Sequence, residues 1–326
     1  MPEIFINGHS IQAERGQSVL QAALAHGFYI PYFCWHPKLS VAGNCRICCV
    51  QVEGRSWVEI ACNMPVAEGL RVLTDSDTVK EYRRQIDEHQ TGTAIAVLTS
   101  AVRDAANGRA FADELESRFA IAPHILSGDE EAALTFLGAT SEHDPGDSTQ
   151  ILVSDIGGGS TELIAGRGRE ADFHVSTQAG VVRQSERHIH SDPPTDEELR
   201  ELAADAREIL EAAVPEDVRR SVRHGISVAG TPTSLAAIAQ RLDPYDPARV
   251  QGYVLTVTEC EEQLTRLASM PLERRRQVTG LHPDRAPTIV AGVVILLEVL
   301  RLFDLQAVEV SEHDILRGAA LGLGAR

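Results

Sequence analysis

Residues Ile151–Ile164 read ILVSDIGGGSTELI. The apolar run from Ile151 to Val153 suits a buried strand, and Asp155 stands near its end. Gly157, Gly158 and Gly159 follow; without Cβ atoms they let backbone N–H groups converge on an anion. Ser160 and Thr161 add hydroxyl donors. Asp155 and Glu162, one on each side of the glycines, are the oxygen ligands that a hard cation such as Mg²⁺ takes between protein and phosphate. A glycine-rich hairpin without a ligand is the plainer reading. Two acids and two hydroxyls around three glycines favour the phosphate loop.

Working outward, Ala94–Leu98 reads as a strand with Thr99, Ser100 and Arg103 at its end. A helix to about Phe119 and a strand at Pro123–Leu126 follow. Ser127 then caps a helix whose first turn carries Asp129, Glu130 and Glu131. Acids there are ordinarily partners of the helix dipole. Thr195 and Glu198 form a capping box opening an amphipathic helix to Ala213. Ala286–Phe303 reads as a long buried helix and Ala307–Val310 as a strand before the last helix. His188 and His190 precede Pro193-Pro194 in a loop and read as solvated.

The segments VLTSAVRDAANG, ILSGDEEAALTFLGA, SDIGGGSTELI, GVVRQSER, VAGTPTSLAAIA, HPDRAPTIVAG and VSEHDILRGAAL occur in that order. Together they resemble the exopolyphosphatase and guanosine-pentaphosphate phosphohydrolase (Ppx/GppA) family over about residues 79–326. The resemblance implies an actin/hexokinase/Hsp70-like (ribonuclease H-like) α/β fold of two lobes. It implies that Glu131 is the catalytic acid that orients or deprotonates the attacking water. It further implies that Asp155 and Glu162 hold Mg²⁺ and phosphate, and that Gly157, Gly158, Gly159 and Ser160 form a phosphate loop. Arg183, in a Gly-x-x-Arg segment, would neutralise phosphate oxygens, or else pair with Glu186; Gly230 and Thr231 match the superfold's nucleotide-side turn. Members of the family also open with an Asp-x-Gly-x-Asn-Ser type loop that this chain lacks, so the first lobe is expected to be incomplete, with an unpaired sheet edge.

The segment before it has a different character. Asn7-Gly8 lies between two short strands, a hairpin signal. Ser18 and Gln21 open a helix that Gly27 stops. Five of the six cysteines fall between Cys34 and Cys62. That clustering points to metal or iron–sulfur ligation rather than disulfides. IPYFCWHPKLSVAGNCRICCVQVEG and ACNMPVAEGLRVLTDS resemble the N-terminal domain of the large iron–sulfur subunit of NADH:quinone oxidoreductase (complex I), over about residues 1–77. The resemblance implies a β-grasp ferredoxin-like domain whose [2Fe–2S] cluster is held by Cys34, Cys45, Cys48 and Cys62. No residue after Cys62 could hold the further clusters of that subunit.

The formal charge of −17 argues against nucleic-acid binding, and no apolar run reaches the length of a membrane span. With no basic or apolar leader at the N-terminus, a cytoplasmic protein is expected. Expected domains are 1–77 (ferredoxin-like), 78–145 (remnant of the first phosphatase lobe) and 146–326 (second lobe). The expected activity is Mg²⁺-dependent hydrolysis of a terminal phosphoanhydride in polyphosphate or a guanosine polyphosphate. A homodimer and a redox partner for the cluster are the further expectations. The rival is an electron-transfer protein with an inactive phosphatase-like part. The change of family near Ser76–Lys80 admits a natural fusion, a joined chimera, or a partner chain that supplies the missing strands; the chimera is the most economical.

Overall fold

Ile4 and Ile6 alternate with Glu3 and Phe5, and this period of two buries both isoleucines on one side of β1 (Glu3–Ile6) in the computed structural model. The structure describes residues 1–30, 48–55, 58–74, 96–103, 108–109, 112–113, 116 and 123–324. The chain divides into two units, Met1–Ala94 and Ile95–Arg326.

In the first unit, Asn7 and Gly8 both take positive φ (51° and 83°), so β1 turns tightly into antiparallel β2 (His9–Gln12). Ser18 and Gln21 close the expected capping box at the start of the helix Val19–Ala25. β3 (Cys49–Val52), β4 (Val58–Ile60) and β5 (Arg71–Leu73) complete a sheet of order β2-β1-β5-β3-β4, with β5 parallel to β1. Ile4, Ile6, Leu20, Val50 and Val72 pack together beneath the helix. This is the small ferredoxin-like sheet that the sequence predicts. The linking helix expected at Thr78–His89 lies outside the described residues.

In the second unit, β8 (Ile151–Ile156), β9 (Thr161–Arg167) and β10 (Glu170–Thr177) form an antiparallel meander. β11 (His224–Val228) and β13 (Ala307–Val310) continue it in parallel, and β12 (Val254–Thr256) closes the edge, in the order β10-β9-β8-β11-β13-β12. Both faces of β8 are buried, which is why its apolar positions run on rather than alternate with polar ones. One face meets the helix Ile289–Leu302, apolar around nearly its whole circumference. Its one buried acid, Glu298, is held by Arg207 (2.8 Å) and Arg301 (2.6 Å). The other face carries Ile151, Val153, Ile164, Ile226 and Val228, covered by Ala132, Phe136 and Ala139 of the helix Gly128–Ala139.

That helix crosses a second one, Ile315–Gly324, at very short range. A Cβ on Gly138 would lie 2.0 Å from the Asp314 carbonyl, and one on Gly318 1.8 Å from that of Leu134. Of the first lobe, the described residues hold β6 (Ala96–Leu98) and β7 (Pro123–Ile125), paired in parallel. Among the described residues no helix is long and apolar enough to cross a membrane.

Candidate functional site

Strand register builds the floor of the site. Asp155 sits two residues beyond Val153 on β8 and so shares the face of Ile151 and Val153. Glu162 is its cross-strand partner on β9, and Ser176 on β10 is the partner of Glu162. The helix Gly128–Ala139 covers the apolar part of that face with Ala132 and Phe136, and its first turn reaches the acids. Glu131, Asp155 and Glu162 thereby line one cavity of about 290 Å³, together with Thr99, Arg103 and Ser176.

The three acids of that first turn have separate fates. Glu130 closes the capping box with Ser127 and also meets His124 at 3.0 Å. The Ser127 N–H chiefly, with His124, holds its carboxyl down at about 2. Asp129 pairs with His174 at 2.7 Å. Glu131 alone turns to the cavity, where Arg103 Nη1 donates to it at 3.1 Å and to the Leu126 carbonyl at 2.8 Å. Being a dipole partner is thus too small a description for Glu131.

Glu162 accepts hydroxyl protons from Ser160 (2.6 Å) and Ser176 (2.7 Å). Burial pushes the Asp155 carboxyl up to about 7, and the negative charges of Glu162, Asp314 and Glu131 push the same way. Asp155, Glu162 and Glu131 bring carboxylate oxygens together here, and among the described residues no cation pairs with Asp155. Both features fit a hard divalent ion such as Mg²⁺, with Asp155 and Glu162 as its nearest holders.

The triglycine turn joins β8 to β9. Gly157 N–H donates to the Ser160 carbonyl at 2.9 Å, so it serves the turn. The carbonyls point the other way. Gly157 accepts from Val181 N–H, Gly158 from Val182 N–H, and Gly159 from Arg183 Nε at 3.1 Å. The N–H groups of Gly158, Gly159 and Ser160 have no hydrogen-bond partner among the described residues. Arg183 therefore clamps the turn instead of pairing with Glu186. Thr161 is buried on the opposite face from Glu162, and its hydroxyl donates to the Ala179 carbonyl at 2.6 Å. The structure does not bring Thr161 into the cavity.

Sequence reading passed over several participants. Arg103 and Asp314 lie in segments already noted as motifs, but only the folded chain sets their charge beside Glu131 and Asp155. Gly180, the glycine of the Gly-x-x-Arg segment, packs directly on the turn: a Cβ there would lie 2.2 Å from Gly159 C and 2.4 Å from Ser160 N. Gly180→Ala must displace the triglycine turn, at a cost of about 1–3 kcal/mol. A shift of about 1 Å at such a turn is expected to lower kcat/KM by roughly 10²-fold, read by melts and phosphate release together. At the Gly230–Thr231 turn, Arg285 Nη1 donates to the Gly230 carbonyl at 2.7 Å and fills the space above it. His188 is half-buried against Asp205 (3.2 Å) rather than solvated.

In the first unit, Cys48 and Cys62 are both buried, and the Cys62 N–H donates to Cys48 Sγ at 3.4 Å. Two enclosed sulfurs with an amide aimed at one of them fit iron–sulfur ligation. Cys34 and Cys45 lie outside the described residues.

Comparison with known proteins follows the same division. Residues 75–322 match the Ppx/GppA phosphatase family, and residues 2–77 match the 2Fe-2S iron-sulfur cluster binding domain. Exopolyphosphatase 2 of Mycobacterium tuberculosis is 35% identical over 252 residues, 74% of this chain and 78% of that protein. The crystal structure of the Aquifex aeolicus member of the Ppx/GppA family is similar with a TM-score of 0.67 at 28% identity, covering 76% of this chain and 79% of that one. The mitochondrial NADH-ubiquinone oxidoreductase 78 kDa subunit of Candida albicans is 42% identical over 86 residues, 26% of this chain and 12% of that subunit.

Proposed function

This chain belongs to the Ppx/GppA phosphatase family and carries a 2Fe-2S domain related to that of the complex I iron–sulfur subunit; from that premise we propose that it hydrolyses terminal phosphoanhydrides of polyphosphate or a guanosine polyphosphate, with Mg²⁺. The observation that carries the reading is the meeting of Glu131, Asp155, Glu162 and Arg103 on one cavity.

In this reading, a water beside Glu131 attacks the terminal phosphorus. Glu131 takes a proton from the water as the new O–P bond forms and the bridging P–O bond breaks. Orthophosphate and a chain one phosphate shorter leave. Arg103 holds Glu131 in position, since its guanidinium is anchored on the Leu126 carbonyl. The N–H groups of Gly158, Gly159 and Ser160 receive equatorial phosphate oxygens, while the Ser160 hydroxyl donates to Glu162. Preorganised donors of this kind commonly account for the larger part of the rate. Bound between Asp155 and Glu162, Mg²⁺ would neutralise phosphate charge. The cluster would be held by Cys34, Cys45, Cys48 and Cys62 and would exchange single electrons with a redox partner. A cytoplasmic homodimer completes the proposal.

The test is release of orthophosphate from long-chain polyphosphate and from guanosine pentaphosphate, with Mg²⁺ and with chelator. Release from either substrate, abolished by chelation, is expected. A folded, Mg²⁺-supplied protein that releases none overturns it. The matched 2Fe-2S domain favours a second reading, an electron-transfer protein whose phosphatase-like part is inactive. For the cluster, the purified protein is expected to absorb visible light, and Cys62→Ser to lose that absorbance. Retained absorbance in the variant would remove Cys62 from the ligand set.

A further inference from the structure

We infer that His143, His224 and Glu309 form a second metal site, for a divalent ion of the zinc class, apart from the phosphatase cleft. Three distant stretches of sequence bring these side chains together. His143 lies in the turn after the helix Gly128–Ala139, His224 opens β11, and Glu309 lies on the neighbouring parallel strand β13. His143 Nε2 stands 3.2 Å from one carboxylate oxygen of Glu309, and His224 Nε2 stands 3.3 Å from the other. One ligand atom from each of the three lies within 4.8 Å of the other two.

Zinc binds imidazole nitrogen at about 2.0–2.1 Å, so neighbouring ligands of a tetrahedral ion sit ~3.3 Å apart. His143 Nε2 already stands at that distance from one Glu309 oxygen and His224 Nε2 from the other, and one ligand atom from each residue lies within 4.8 Å of the other two. His143 and Glu309 keep about a quarter and a fifth of their side-chain surface, and His224 more, so an ion and a water at the fourth position can enter.

Two imidazoles and one carboxylate select zinc, nickel or copper over magnesium, whereas Asp155 and Glu162 in the cleft offer carboxylate oxygen. The two places are also separate. His224 pairs with Ile151 at one end of β11, and Val228 pairs with Asp155 at the other, four residues or roughly 13 Å along the strand. A bound ion would tie the turn that follows the Glu131 helix to both strands.

The experiment uses the full chain with its iron–sulfur cluster loaded, so that the cluster cysteines are occupied, and with saturating Mg²⁺ in the cleft. After equilibrium dialysis against Zn²⁺, elemental analysis is expected to find one more zinc per chain in the parent than in His143→Ala/His224→Ala. Single variants His143→Gln and Glu309→Gln are expected to weaken binding at least tenfold. Zinc should raise the parent's Tm by about 5 °C, and none of the variants'. X-ray absorption at the zinc edge should report two imidazole scatterers. Equal zinc content and equal Tm shifts in parent and folded variants, or a zinc edge without imidazole, would overturn the site.

Discussion

Glu131→Gln is expected to lower kcat for phosphate release by roughly 10²–10⁴-fold while KM and Tm stay close to those of the parent. The amide keeps the shape of the side chain and still accepts from Arg103, whose other anchor is the Leu126 carbonyl. What it loses is the capacity to take a proton from water. Glu130→Ala is the control, one residue away. Glu130 closes the capping box and meets His124, so its replacement should lower Tm and leave kcat alone. Steady-state kinetics and thermal melts of the two variants separate the roles. A Glu131→Gln enzyme within a few-fold of the parent would return Glu131 to the rank of helix-dipole partner.

Asp155→Asn is expected to stabilise the metal-free protein above neutral pH and to abolish Mg²⁺-supported phosphate release. Burial, with Glu162, Asp314 and Glu131 adding to it, raises the Asp155 carboxyl to about 7. In the unfolded chain it titrates near ~3.9. Between these values the folded state holds a proton that the unfolded state has lost, so stability falls as pH rises from about 4 to 7. Above pH 7 the penalty is complete, at most about 4 kcal/mol by linkage. Asn cannot ionise, so the variant's Tm should lose this slope and stand several degrees above the parent's at pH 8 without metal. Mg²⁺ should flatten the parent's slope too. Melts across pH 4–8, with and without Mg²⁺, check both. A variant that is less stable at pH 8 and still active would remove Asp155 from the site. The expected pattern is that of a group kept for function at a cost in stability.

Much of the site's local structure was legible residue by residue. Asn7-Gly8 announced its hairpin, Ser18, Ser127 and Thr195 their helix starts, and Ile151–Ile164 its strand–turn–strand. These signals act between residues a few positions apart. Arg103 was noted only as standing at the end of a strand, because nothing near it in sequence reveals that its guanidinium meets Glu131. Thr161 was read as a phosphate donor because it follows Ser160. The strand's period of two turns it to the opposite face, where Ala179 takes its hydroxyl.

By itself, the sequence determined the two families joined in this chain, the order of their elements, and the chemical types available: four thiols for a cluster, and acids, glycines and hydroxyls for a phosphate. Only the tertiary structure decided which members of those sets meet. Sheet register set Glu162 opposite Asp155, packing of Phe136 aimed the first turn of its helix so that Glu131 and not Glu130 faces the cleft, and parallel pairing of β11 with β13 set Glu309 beside His224. The reason is one of range: hairpins and caps are fixed by neighbours along the chain, whereas a carboxylate's electrostatic partners are fixed by whatever the folded core leaves within a few ångströms of it.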